Sequence, residues 1–154
     1  MAKQSAGILL YRFHNKKLEV LLVHPGGPFW AKKDAGAWSI PKGEFEENES
    51  PFNAALREVE EELGFTPKGN FIPLTPIKQK SGKLVHAWAV ESNFDETKLR
   101  SNTFEMEWPP RSGKKMEFPE IDKAEWFDVG KAREKILVGQ VALINELEVS
   151  IVRL

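Results

Sequence analysis

Between positions 43 and 65 the chain reads GEFEENESPFNAALREVEEELGF, with eight glutamates and one arginine. The local charge is about −7 in a chain whose formal total is −1. Such crowding raises the energy of any compact fold unless cations neutralise it. Carboxylate oxygens suit hard divalent ions, so Mg²⁺ or Mn²⁺ is the expected counter-ion.

The spacing is more specific than the charge. Ser50 followed by Pro51 reads as an N-cap and first helical position, and Gly64 as the stop. Between them Phe52, Ala55, Leu56, Val59 and Leu63 recur at helical intervals and form one apolar face. At ~100° per residue, Glu61 and Glu62 fall at about −60° and +40° from Glu58. These three carboxylates share an arc beside the buried face, whereas Glu60 points to solvent. Charge runs on helices are often plain solvated faces, and the four glutamates at 58–62 alone would not exclude that.

Composition narrows the class. With 154 residues the chain is expected to form one domain, spanning 1–154, with a substantial core. There is no cysteine, which excludes disulfides and a thiol nucleophile. No global basic excess points to nucleic-acid duplex binding. No segment approaches the ~20 apolar residues of a membrane span, and no signal-peptide pattern opens the chain; a cytoplasmic protein is expected. The oligomeric state stays open.

Strands are expected at 4–13 and 17–24, joined by the polar HNKK hairpin, then at 38–40, 70–79, 83–91, 103–108 and 123–128. Segments 24–37 and 109–120 read as loops, and 129–148 as one or two helices broken near Gly139. Strands interleaved with separated helical regions suggest an α/β fold, a mixed sheet between helical layers. The three histidines, His14, His24 and His86, lack metal-site spacing and read as structural or surface residues.

Taken together, Gly43, Glu49, Arg57-Glu58, an apolar residue, Glu61-Glu62, Gly64 and a final apolar residue form a spaced pattern across about one seventh of the chain. It resembles the Nudix box at every fixed position, and the chain is identified on it as similar to the Nudix hydrolases. The resemblance implies an α/β/α sandwich. It also implies metal-dependent hydrolysis of a phosphoanhydride in a nucleoside diphosphate linked to another moiety. Glu58, Glu61 and Glu62 match the metal-binding core, and Gly43 the glycine whose carbonyl also binds metal. Glu58 or Glu61 is the expected base, Arg57 braces the carboxylates, and Glu49 is its structural partner. Glu120, and less so Glu117, match the extra acid that family members place before the last strand.

Substrate contacts are less legible. Lys42 is held near the metals by its place before Gly43. Lys32, Lys33, Arg111, Lys114 and Lys115 are loop cations suited to phosphate or simply to solubility. Trp30, Phe29 and Trp108 sit in loops and suit base stacking or loop packing, whereas Trp38, Trp88 and Trp126 read as core. The Pro41-Lys42-Gly43 entry is similar to the branch acting on dinucleoside polyphosphates. The tyrosine often found downstream of the box in that branch is absent, since Tyr11 is the only tyrosine. Pro73 and Pro76 fall short of the spacing seen in ADP-ribose hydrolases. Sugar nucleotides, modified triphosphates, diphosphoinositol polyphosphates and capped RNA ends are alternatives, as is a nucleotide sensor that cleaves nothing. The intact acid set favours catalysis.

Overall fold

The computed structural model describes residues 4–152. Asn15 and Lys16 both take positive φ, 51° and 65°, and close a two-residue turn between β1 (Gln4–His14) and β2 (Lys17–Pro25). Such turns match the natural twist of the strands they join. His14 pairs with Lys17 and Tyr11 with Val20, after which β2 diverges from β1. The gap is filled by residues 39–41: Ser39 bridges to Val23, and Ile8 N–H donates to Pro41 O at 3.1 Å. The chain then pairs with the first half of β1 as β3 (Lys42–Phe45), so Gly43 lies opposite Ala6.

The six-stranded sheet runs β4-β5-β1-β2-β8, with β3 also on β1. Here β4 is Ile72–Lys78, β5 is Leu84–Glu91 and β8 is Ile121–Asp128. β1 and β5 are parallel and the other pairs antiparallel, so the sheet is mixed. The period-2 alternation of β1 divides it between two cores. Ala6, Ile8 and Leu10 pack with Ala54, Ala55, Val59 and Leu63 of α1 (Pro51–Leu63). Leu9 and Tyr11 join Ala132 of α2 (Val129–Lys135) and Leu143, Ile144 and Leu147 of α3 (Val141–Val152) on the other face. The expected α/β/α sandwich is therefore the observed architecture.

Two local expectations are corrected. Residues 38–40 form only isolated bridges, to Ile136 and Val23, because β2 and α2 offer them one partner each. The strand begins four residues later, where β1 supplies a ladder. Residues 115–119 are not loop: β7 (Lys115–Pro119) pairs with β6 (Thr103–Glu107) in a separate two-stranded sheet. Phe104 pairs with Phe118 and Met106 with Met116, a set of cross-strand apolar pairs that sustains the hairpin despite its lysines.

Candidate active site

α1 begins and ends where the residue chemistry dictates. The Ser50 side chain accepts from Asn53 N–H at 3.2 Å, and Pro51 opens the first turn. Gly64 closes it at φ 72°, its N–H donating to Glu60 O at 2.8 Å. Between these ends the acids separate as their angles require. Glu60 is exposed and accepts from Thr66, whereas Glu58 is buried and Glu61 and Glu62 are half-buried. Glu58 goes further than expected: it is only 8% exposed, inside the buried face rather than beside it, because β3 closes over that arc.

Arg57 is the hub. Its Nε and Nη2 donate to both oxygens of Glu49, at 2.8 and 2.9 Å. Its Nη1 donates to Glu58 Oε1 at 2.8 Å and Glu61 Oε1 at 3.2 Å. One guanidinium thus joins the loop before the helix to two acids on it, a geometry lysine cannot reproduce. Glu62 Oε1 accepts from the backbone N–H of Lys42 at 3.2 Å.

Glu120 arrives by a backbone relay. Asn102 N–H donates to Glu61 O at 2.8 Å, and Asn102 O accepts from Glu120 N–H at 2.8 Å. Glu120 O in turn accepts from Gly26 N–H at 2.9 Å, which ties the 26–37 loop to the same point. Glu120 and Glu62 then line one cavity of about 250 Å³ with Lys42, Trp30, Ile40 and Leu137. Its walls are mostly apolar.

The charges are strained as they stand. Burial raises the Glu58 carboxyl, the Glu61 charge raises it further, and Arg57 offsets part of this. Burial pushes Glu62 up to about 8, against the Lys42 N–H and ammonium. Burial and then Glu61 raise Glu120. Lys42 is lowered, by burial first and then by Lys83. Among the described residues no three acids converge on a single point. Glu58 and Glu61 instead turn to Arg57, and Glu62 to the Lys42 backbone. The donor set nonetheless fits a hard divalent cation: all-oxygen carboxylates, Glu58, Glu62 and Glu120 among them destabilised by burial, with Glu58 against Gly43.

A family model described as the NUDIX domain matches residues 1–146. The chain belongs to the Nudix family. An octanoyltransferase of Myxococcus xanthus is 32% identical over 101 residues, 66% of this chain and 25% of that protein. An RNA pyrophosphohydrolase of Saccharophagus degradans is 45% identical over 47 residues, 29% of this chain and 28% of that protein. The Nudix chain thus spans about a quarter of the length of these curated relatives. Among solved structures, the NUDIX domain of Shewanella oneidensis NrtR, complexed with ADP ribose, superposes with a TM-score of 0.69 at 16% identity. That match covers 98% of this chain and 89% of the other. A C. elegans Ap4A hydrolase binary complex gives 0.68 at 20% identity, covering 99% and 100%. At these identities the superpositions establish the shared fold.

Within this Nudix fold the sequence-selected residues divide. Gly43 abuts Glu58, Arg57 joins Glu49, Glu58 and Glu61, and Glu62 and Glu120 line the cavity with Lys42 and Trp30. Lys32 is exposed on the 26–37 loop and is not in that lining. Arg111 sits at the tip of the β6–β7 hairpin, its N–H donating to Glu107 at 2.8 Å, also outside the lining. Glu117 is exposed on β7. Phe29 and Trp108 contact each other edge to face at 5.6 Å, packing hairpin against loop. Trp38 is buried, Trp88 is half-buried, and Trp126 is half-buried under the Arg12 guanidinium at 4.4 Å.

Sequence reasoning missed one residue that holds the cavity wall. Gln140 is fully buried and its Oε1 accepts from Ile40 N–H at 3.1 Å. Nothing local in VGQ marks that role. His24, read from the sequence as structural or surface, is 2% exposed and thus structural, as the alternation of Val20, Leu22 and His24 onto one inward face allows.

Proposed function

We propose that this chain is a divalent-cation-dependent pyrophosphohydrolase that cleaves a nucleoside diphosphate linked to another moiety, with dinucleoside polyphosphates the first class to test. One observation carries the reading: Glu62 of the box helix and Glu120, from the link before β8, line one mostly apolar cavity, while Arg57 holds Glu58 and Glu61 of the same helix together. Glu58, Glu61, Glu62 and Glu120, with the Gly43 carbonyl, would hold Mg²⁺ or Mn²⁺. When bound, such ions neutralise phosphate charge and make water a better nucleophile.

The remaining work falls to the chain itself. Arg57 holds Glu58 and Glu61 side by side, so that either carboxylate can accept a proton from an attacking water. Glu58 is the deeper and Glu61 the more accessible, which favours Glu61 for contact with solvent-derived water. Lys42 places its ammonium beside the cavity, where it neutralises phosphate. The apolar walls and Trp30 accept the nucleoside part and exclude water from the reacting end. Cleavage breaks one P–O–P link and leaves a nucleoside phosphate and the phosphorylated second moiety.

The similarity of 47 residues of the chain to an RNA pyrophosphohydrolase supports anhydride cleavage. The fold shared with an Ap4A hydrolase keeps dinucleoside polyphosphates first in order. A screen of nucleoside diphosphate derivatives, capped RNA and nucleoside triphosphates with Mg²⁺ and Mn²⁺ tests the reading. Turnover that vanishes with EDTA is expected. Binding of nucleotides without release of phosphate under either cation would replace the hydrolase by a sensor.

A further inference from the structure

We infer that His24 is a positioning residue: it fastens the 26–37 loop to the sheet and thereby sets Trp30 against the acid-lined cavity. Its role in substrate placement rests on the reading of that cavity given above. The fastening stands without it.

His24 lies near the end of β2, 2% exposed, where Val20 and Leu22 share its inward face. Its Nδ1 is 2.8 Å from Asp122 Oδ1 on β8, and its Nε2 is 2.6 Å from the Lys33 carbonyl. Both partners are acceptors, so the ring satisfies both only by donating from each nitrogen. Trp38 packs against the imidazole at 5.1 Å between centroids. A single ring therefore links β2, β8 and the loop.

The link reaches Trp30 in one further step. Lys33 N–H donates to Trp30 O at 3.0 Å, and Trp30 N–H to Gly27 O at 3.3 Å. Lys33 Nζ also lies 4.9 Å from the Trp30 ring centroid. Holding the Lys33 carbonyl thus holds the turn whose other end is Trp30. Asp34 adds a second fastening: its carboxylate accepts from Trp38 Nε1 at 2.8 Å and pairs with Lys135 of α2. Beyond these anchors the loop is open, with Phe29 61% and Trp30 38% exposed. Trp30 nonetheless lines the cavity that holds Lys42, Glu62 and Glu120.

The test uses the folded full-length chain. Trypsin cleaves after Lys32 and Lys33, both exposed, and after Lys16 and Lys17 in the β1–β2 turn, which serve as the internal control. In His24→Asn, cleavage after Lys32 and Lys33 is expected to accelerate roughly tenfold, as loss of about one net hydrogen bond implies, with the control sites unchanged. Asp122→Ala, at a partly exposed position, should do the same without touching the core. With a substrate from the screen, both variants should raise KM roughly tenfold at unchanged kcat. Combining His24→Asn with Trp30→Ala should raise KM no further than Trp30→Ala alone. Unchanged loop cleavage, or equal acceleration at the control sites, overturns the fastening. Faster loop cleavage with an unmoved KM overturns the placement of Trp30. Failure of the unmodified protein to turn over any compound overturns the hydrolase reading and the placement role with it, while digestion still decides the fastening.

Discussion

Gly43 and Glu58 are in such close approach that a Cβ on residue 43 would sit 2.0 Å from Glu58 Oε2. The glycine is what lets a carboxylate on a helix lie flat under the neighbouring strand. Gly43→Ala must therefore displace the acid or lift β3 from the helix. Because only the end of the Glu58 side chain is in the way, a loss of no more than about 1 kcal/mol in chemical denaturation is expected, together with weaker Mn²⁺ binding by calorimetry. Wild-type stability and affinity in this variant would show that the carboxylate position carries no function.

Glu61→Gln keeps shape and removes charge. Turnover should fall at least ~10²-fold, measured as phosphate release under saturating Mg²⁺. Glu58→Gln should do likewise. A variant retaining most of its activity would remove that residue from the chemistry.

Stability without metal should fall as pH rises. The folded Glu62 carboxyl is raised from its ordinary 4.5 to about 8. Between these values the native chain holds a proton that the unfolded chain releases, so the contribution of Glu62 to stability is fully present below pH 4.5 and is lost as the pH rises toward 8. A divalent ion must compete with that proton, so the Tm increment from Mg²⁺ should be larger at pH 8 than at pH 6. Glu62→Gln should flatten both trends. A scanning fluorimetry series with no pH dependence of the increment would contradict this account.

Arg57→Lys retains charge and forfeits the fork that spans Glu49, Glu58 and Glu61. Because the pairs are partly exposed, stability should change by only about 1 kcal/mol. Metal affinity or turnover should fall about 10- to 100-fold, the usual effect of disturbing groups that orient ligands. Equal losses in both quantities would mean that Arg57 serves the fold alone.

How far the chain could be read in advance depended on whether the cause was local. The helix carrying the acids was legible to the residue, since Ser50, Pro51 and Gly64 act within a turn of themselves. So was the β1–β2 hairpin. β3 was not: Lys-Gly-Glu-Phe has no strand chemistry of its own and is extended only because residues 4–7 pair with it. β7 was hidden by the lysines before it, although Met116 and Phe118 alternate. In the site, the spacing of Glu58, Glu61 and Glu62 was decisive, whereas the arrival of Glu120 depends on Asn102 bonding in two directions across the chain. Gln140 holds Ile40 from a hundred residues away, and no short-range pattern encodes such a contact.

The β6–β7 hairpin forms no ladder with the main sheet. Insertions, deletions or exchanges at its tip can therefore accumulate without shifting the register that fixes the acids. Change at that tip leaves the placement of Glu58, Glu61 and Glu62 on α1 as it stands.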